Sequence, residues 1–209
     1  MNPQPVRERV LKVATEQFAA IGYEATTMRS VASRAGVTLP TVYHYFGDKA
    51  NLYFEACVAC FAPRAERGLD AFRRSTGRQE ERVLEFFVDL ARDFLEDDNL
   101  FKLMQREMIE QDREGIRRLT ERCWKQSFTA LCNAFRVLLP KGEDPAITSF
   151  TSFTLLFGMV ECRRLMPFLH PGLTRHYSPE SLALVVLNTT VPSIPWREFC
   201  PAKPAAALA

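Results

Sequence analysis

Glycine is scarce in this chain, 9 of 209 residues, and nowhere does it take the spacing that cradles a nucleotide phosphate. Histidine is scarcer still, with 3 residues. None of them makes a paired-histidine metal motif or groups with Ser and Asp in a recognisable catalytic order, and no nucleophile elbow is present. These absences weigh against an enzyme. Alternating apolar and polar runs of strand type are also missing, which leaves an all-α reading. No charged n-region followed by an apolar h-region opens the chain, and the uncharged stretch from Pro145 to Val160 is short and rich in Ser and Thr for a membrane span. A cytoplasmic protein is expected. Charge of one sign is nearly balanced, at net +2.

The six cysteines are Cys57, Cys60, Cys123, Cys132, Cys162 and Cys200, and in a cytoplasmic chain they do not make a disulfide framework. Cys57-Val-Ala-Cys60 has redox or metal spacing, yet it falls within a helical pattern and lacks a second Cys/His pair nearby. His170 and His176 flank Pro171-Gly172 without matching carboxylates or thiols. No metal and no cofactor is expected.

What is present begins at Thr26. The stretch TTMRSVASRAGVTLPTVYHYFGDK reads as two short helices around a tight turn, followed at once by a third. Thr27 is an N-cap candidate, and Met28, Val31, Ala32 and Ala35 then recur at helical spacing. Gly36 stops that helix, Val37 is the apolar residue of the turn, and Thr38 caps the next, where Pro40 is tolerated because first-turn N–H groups have no helical partner. Val42 and Phe46, four apart, face inward; Leu39, Thr41, Tyr43 and His44 fall largely outward. Gly47 ends the element and Asp48 caps the following one. Lys49 then stands in a first turn, where a cation opposes the helix dipole unless an anion lies nearby. This is the pattern of a helix-turn-helix, and its partner is double-stranded DNA.

With its leading amphipathic helix (Val10, Leu11, Ala14, Phe18, Ile21, ending at Gly22-Tyr23), the segment from residue 6 to about 55 resembles the DNA-binding domain of the TetR family of bacterial transcriptional regulators. Thr27, Val31-Ala32, Ala35-Gly36-Val37, Thr41 to Phe46 and Asp48-Lys49 carry the resemblance. It implies that Thr27 touches a phosphate and that Arg29 reaches a base edge or the backbone. It places Thr38, Leu39, Pro40 and Thr41 at the leading end of the recognition helix, and Tyr43 and Lys49 on phosphates. Leu39 departs from the family by standing where a polar reader often occurs; it can touch a thymine methyl but cannot donate a hydrogen bond. Base reading then rests on Arg29, Thr41 and His44, with DNA shape supplying part of the specificity. Residues 1–50 hold six basic side chains against four acidic ones, a modest electrostatic footprint.

The expected organisation is a three-helix DNA-binding domain over 1–50, a larger helical ligand-binding and dimerisation domain over 51–195, and a frayed tail over 196–209. A connecting helix runs from Asp48 to about Ala65, ahead of the polar link Arg73-Arg74-Ser75-Thr76-Gly77. Further helices are expected over about 80–95 and 99–111, from after Gly115 to Leu138, from Asp144-Pro145 to about Leu165, and from Ser178-Pro179 through Leu187. The resemblance implies that the last two pair with their copies in a second subunit, so Phe150, Leu156, Val160, Leu182, Val185 and Val186 are the interface candidates of a homodimer on a palindromic operator. The body is rich in soft and aromatic side chains: Phe86, Phe87, Phe94, Phe101, Met104, Met108, Trp124, Phe128, Phe153 and Phe157. They fit either a packed core or a cavity for an apolar or aromatic effector, with Gln105, Arg106, Glu107 and Glu161 as polar anchors. Release of a repressor by such an effector is the expected function. The alternatives are a ligand-dependent activator and a redox- or metal-sensing regulator using the cysteines.

Overall fold

The computed structural model describes residues 5–73, 77–110, 113–170, 172 and 177–200, and the described residues are helical with no strand among them. Helix α1 spans Val6–Ala25, α2 Met28–Ala35, α3 Leu39–Phe46 and α4 Lys49–Arg73. They are followed by α5 (Gln79–Glu96), α6 (Asp98–Glu110), α7 (Arg113–Leu119), α8 (Lys125–Leu138), α9 (Pro145–Glu161), α10 (Met166–Leu169) and α11 (Pro179–Thr190). Residues 74–76 of the polar link, His176 and the tail beyond Cys200 lie outside the described residues.

The expected sequence signals act locally as their chemistry requires. Thr27 accepts from Ser30 N at 3.0 Å, and the Ser30 hydroxyl accepts from Thr27 N at 3.2 Å, a reciprocal capping box at the start of α2. Gly36 ends α2 at φ 63°, a left-handed position that costs glycine little. Asp144 caps α9 through Ala146 N at 2.8 Å, and Ser178 caps α11 through Ser181 N at 3.2 Å.

Three expectations change. The connecting helix does not stop near Ala65 but continues through Pro63 and Gly68 to Arg73. At Gly68 a Cβ would stand 2.8 Å from the Phe86 ring, so the small residue serves close packing of α4 on α5. The helix expected from Gly115 onward is α7 and α8 joined by a π turn, Thr120–Trp124. The tail does not begin at 196: Trp196–Phe199 form a 3-10 turn, Trp196 is fully buried, and its Nε1 donates to Val191 O at 2.9 Å. A large ring with a satisfied N–H anchors the chain there.

The contacts divide the chain into two compact units, and the division does not fall at residue 50. The first unit joins Met1–Glu66 with Glu96–Gln126. Its core includes Phe18, Leu52, Phe61, Leu103 and Leu119, and α6 packs along α1. The physical reason is that α1 turns its apolar stripe toward two neighbours, α2 and α6. The second unit joins Arg67–Leu95 with Ser127–Ala209. Phe87, Phe94, Phe135, Leu156 and Leu187 are buried in it, and α9 packs on α11. Each such buried side chain contributes about 1.5–3 kcal/mol. The stretch Pro145–Arg164 is long and apolar enough to cross a membrane by length and composition. It is also one of a packed pair, with Ser149, Ser152, Leu156 and Val160 of α9 buried.

Candidate nucleic-acid interface

The first three helices hold one another through buried polar contacts as well as apolar ones. Gln17 of α1, 3% exposed, donates to Ser30 O at 3.3 Å and accepts from the Ser30 hydroxyl at 2.8 Å. Arg9 Nε donates to Ala35 O at 2.8 Å and so serves an orphan carbonyl at the end of α2. Met28, Val31, Ala32 and Ala35 of α2 are buried, as are Val42 and Phe46 of α3. With two inward residues fixed, the other six residues of α3 are left at least partly exposed.

On that surface Thr27, Arg29, Thr38, Pro40, Tyr43 and His44 are exposed, and Leu39, Thr41 and Lys49 are half-buried. All nine expected DNA-binding side chains therefore reach solvent, in one compact unit. The Thr38 and Thr41 hydroxyls are 2.8 Å apart and share a hydrogen bond, while Thr41 N donates to Thr38 Oγ1 at 3.4 Å. Lys49 is more occupied than expected: its Nζ donates to Glu24 O at 3.2 Å and lies 4.4 Å from the centroid of the Tyr23 ring. The α1 terminus thus supplies the negative partner that a cation at a helix amino end lacks. Tyr45 is also exposed and packs edge-on to His44 at 5.4 Å.

Sequence reasoning missed the supporting contacts. Arg106 of α6 donates from Nε and Nη2 to Ala19 O and from Nη2 to Ala20 O, each at 3.3 Å. Its guanidinium fills the space beside Gly22, where a Cβ would stand 2.6 Å from Nη1. Gly22 has φ 82° and marks the kink that ends regular α1. Glu107, next in sequence, is 6% exposed and accepts from the Tyr53 hydroxyl at 2.5 Å. Neither residue serves as the freely placed ligand anchor that the sequence suggested.

The ten residues expected to line an effector cavity are divided between the units. Phe101, Met104, Met108 and Trp124 are in the first, and Phe86, Phe87, Phe94, Phe128, Phe153 and Phe157 are in the second. Phe87 and Phe94 are buried, Phe87 against Phe86 at 5.4 Å and Phe135 at 6.5 Å, and Phe94 against Phe153 at 6.2 Å and Phe157 at 5.8 Å. Met108 and Phe128 are exposed. Neither unit by itself gathers the ten.

Of the interface candidates, Leu156, Val160, Leu182 and Val186 are buried within their own chain, because α9 and α11 use those faces on each other. Phe150 and Val185 remain exposed, and Ile147, which the sequence reading left out, is 66% exposed in the turn before Phe150. The exposed faces of α9 and α11 also carry two shallow depressions. One, of ≈ 490 Å³, is lined by Ser181, Leu184, Val185, Asn188, Thr189 and Arg197. The other, of ≈ 580 Å³, is lined by Ile147, Thr148, Thr151, Thr154, Leu155, Thr189 and Thr190.

The six cysteines form no disulfide, and Cys57, Cys60 and Cys123 are buried. Burial, reinforced by the nearby Glu107 carboxylate, pushes the Cys57 thiol well up; burial pushes Cys123 to about 11. Both stay protonated and unreactive near neutrality. Among the described residues no group of His, Cys, Asp and Glu is arranged to hold a metal ion.

Residues 10–56, the segment that builds this interface, match the family model described as bacterial regulatory proteins, tetR family. That segment is a TetR-type DNA-binding domain. The chain is 36% identical over 52 residues to the transcriptional repressor AcnR of Corynebacterium glutamicum, covering 25% of this chain and 28% of that protein. It is 33% identical over 93 residues to the transcriptional activator FasR of Mycolicibacterium smegmatis, covering 44% and 42%. The chain thus spans less than half the length of these curated relatives. The likeness in fold extends further along the chain than the likeness in sequence. The regulator FadR of Bacillus subtilis, solved with stearoyl-CoA, superposes with a TM-score of 0.72 at 18% identity, over 90% of this chain and 99% of that one. The efflux-pump repressor SmeT of Stenotrophomonas maltophilia gives 0.68 at 19% identity, over 91% and 90%.

Proposed function

We propose that the protein is a homodimeric, sequence-specific DNA-binding transcriptional regulator, a repressor that a small apolar or aromatic molecule releases from a palindromic operator. The observation that carries the reading is the outward face of α3. Its caps and buried Val42 and Phe46 fix the helix, while Thr38, Leu39, Pro40, Thr41, Tyr43 and His44 are left to meet a major groove. Phosphate contacts from Thr27, Tyr43 and Lys49 would set the register, and Arg29 would reach a base edge or the backbone. The modest basic balance of the head favours two copies acting together, with half-sites about one helical turn or a multiple apart.

A second copy is supported by α9 and α11, two packed helices that leave Ile147, Phe150 and Val185 exposed. The effector reading is supported by the aromatic content of the second unit and by the stearoyl-CoA held by FadR of Bacillus subtilis. An effector that prefers one arrangement of the heads lowers operator affinity by its differential binding free energy.

The test is to incubate the purified protein with sheared genomic DNA at moderate salt, recover bound fragments and footprint the strongest. A protected palindrome beside a divergently transcribed gene supports the regulator, and a reporter from that promoter gives the sign of its action. Absence of any enriched fragment overturns it. A sedimentation mass of one chain at micromolar concentration overturns the dimer. A thermal-shift screen in which apolar compounds fail while metals or oxidants bind overturns the effector class.

A further inference from the structure

We propose that α3 reads thymine through its 5-methyl group, with Leu39 as the specificity-determining residue; the inference rests on the DNA-binding reading above. Residues at the amino end of a recognition helix are those that reach base edges. Here that end is poor in hydrogen-bonding capacity. Leu39 is half-buried, so part of its side chain faces outward, and it has no polar atom. Pro40 is exposed and has neither a polar side chain nor an N–H. Thr38 and Thr41 bond to each other at 2.8 Å, which engages one of their two hydroxyl protons, and the Thr41 N–H is directed to Thr38 at its Oγ1 and carbonyl. What these four residues offer outward is mainly methyl, methylene and ring carbon. In the major groove the base feature that matches an apolar side chain is the C5-methyl of thymine. The remaining polar groups of the face, on Tyr43, His44 and Tyr45, lie a turn further along and do not replace a reader at position 39.

The experiment selects bound duplexes from a random library with the unaltered protein, then replaces each thymine of the enriched half-site by deoxyuridine, which removes only the methyl. At one half-site position the replacement should weaken binding about fourfold, the effect of one methyl-sized group kept from water, and about tenfold or more when made in both half-sites. Leu39→Ala should bind the thymine and uracil forms equally at that position, with Tm measured alongside to show that it folds. An enriched sequence that binds equally well with uracil throughout overturns the methyl reading and leaves the DNA-binding function standing. Discrimination that persists in Leu39→Ala overturns the assignment to Leu39. No enriched sequence overturns both this inference and the regulator itself.

Discussion

Helix α3 and helix α9 both turn side chains to solvent that a folded chain alone would not require there, and they differ in chemistry. α3 buries two of its eight residues, Val42 and Phe46, and its exposed rings carry polar atoms: Tyr43, His44 and Tyr45. α9 buries Ser149, Ser152, Leu156 and Val160, and leaves Ile147 and Phe150 exposed. The comparison teaches that surplus surface identifies a partner by its polarity. Aromatic hydroxyls and an imidazole suit phosphates and base edges, whereas bare hydrocarbon suits another apolar helix face.

The sharpest way to break the comparison is to attack what supports α3. Phe46 is 2% exposed and holds α3 on the other helices of the head, so Phe46→Ala should cost about 3–5 kcal/mol of stability. Chemical denaturation should report that loss, and a shift assay should show operator binding abolished. The same ring on α9 behaves differently. Phe150 is 60% exposed, so Phe150→Asp should leave the fold of the single chain intact by circular dichroism. If the face is covered by a second copy, the buried charge should cost at least about 2 kcal/mol, roughly a thirtyfold rise in dimer dissociation constant by sedimentation. An unchanged dimer would assign the exposed hydrocarbon of α9 to something else.

A smaller effect is expected at the contact between α6 and the end of α1. Gly22 sits at φ 82°, where a side chain is strained, and a Cβ would also meet the Arg106 guanidinium. Gly22→Ala should therefore destabilise by about 1–3 kcal/mol. Arg106→Ala removes the hydrogen bonds to Ala19 and Ala20 and also vacates the space beside Gly22. In the double variant the two losses should add to less than their sum, because the steric part disappears. Strict additivity in thermal unfolding would show that the backbone strain at Gly22 alone sets the cost.

These contacts also show where sequence reading stops. The caps at Thr27, Thr38, Asp144 and Ser178 and the inward pair Val42 and Phe46 follow from neighbours within four residues, and the helix-turn-helix was legible for that reason. Gln17 with Ser30, Arg106 with Ala19 and Tyr53 with Glu107 join residues 13, 87 and 54 apart. No local period encodes such pairs. The buried residues on α9 and α11 were misread as interface for a related reason. Both helices are apolar on more than one face, and composition does not say which face meets the other helix of the same chain. The aromatic residues of the body were legible as apolar but not as a site, since a packed ring cluster and a cavity lining share one composition.

The finest distinction lies within α3 itself, between holding the backbone and reading a base. Tyr43 is 48% exposed, so Tyr43→Phe removes a hydroxyl without opening the core and should leave Tm unchanged. A lost hydrogen bond to an anionic phosphate is worth about 1.5–3 kcal/mol, so affinity should fall roughly ten- to a hundredfold. The loss should be uniform across operator variants, because a phosphate contact carries no sequence information. The salt dependence should keep its slope, since a phenol releases no counterion, whereas Lys49→Ala should flatten it. A Tyr43→Phe protein whose preferred sequence changes would instead place that ring on a base edge and move the boundary between positioning and reading toward the middle of the helix.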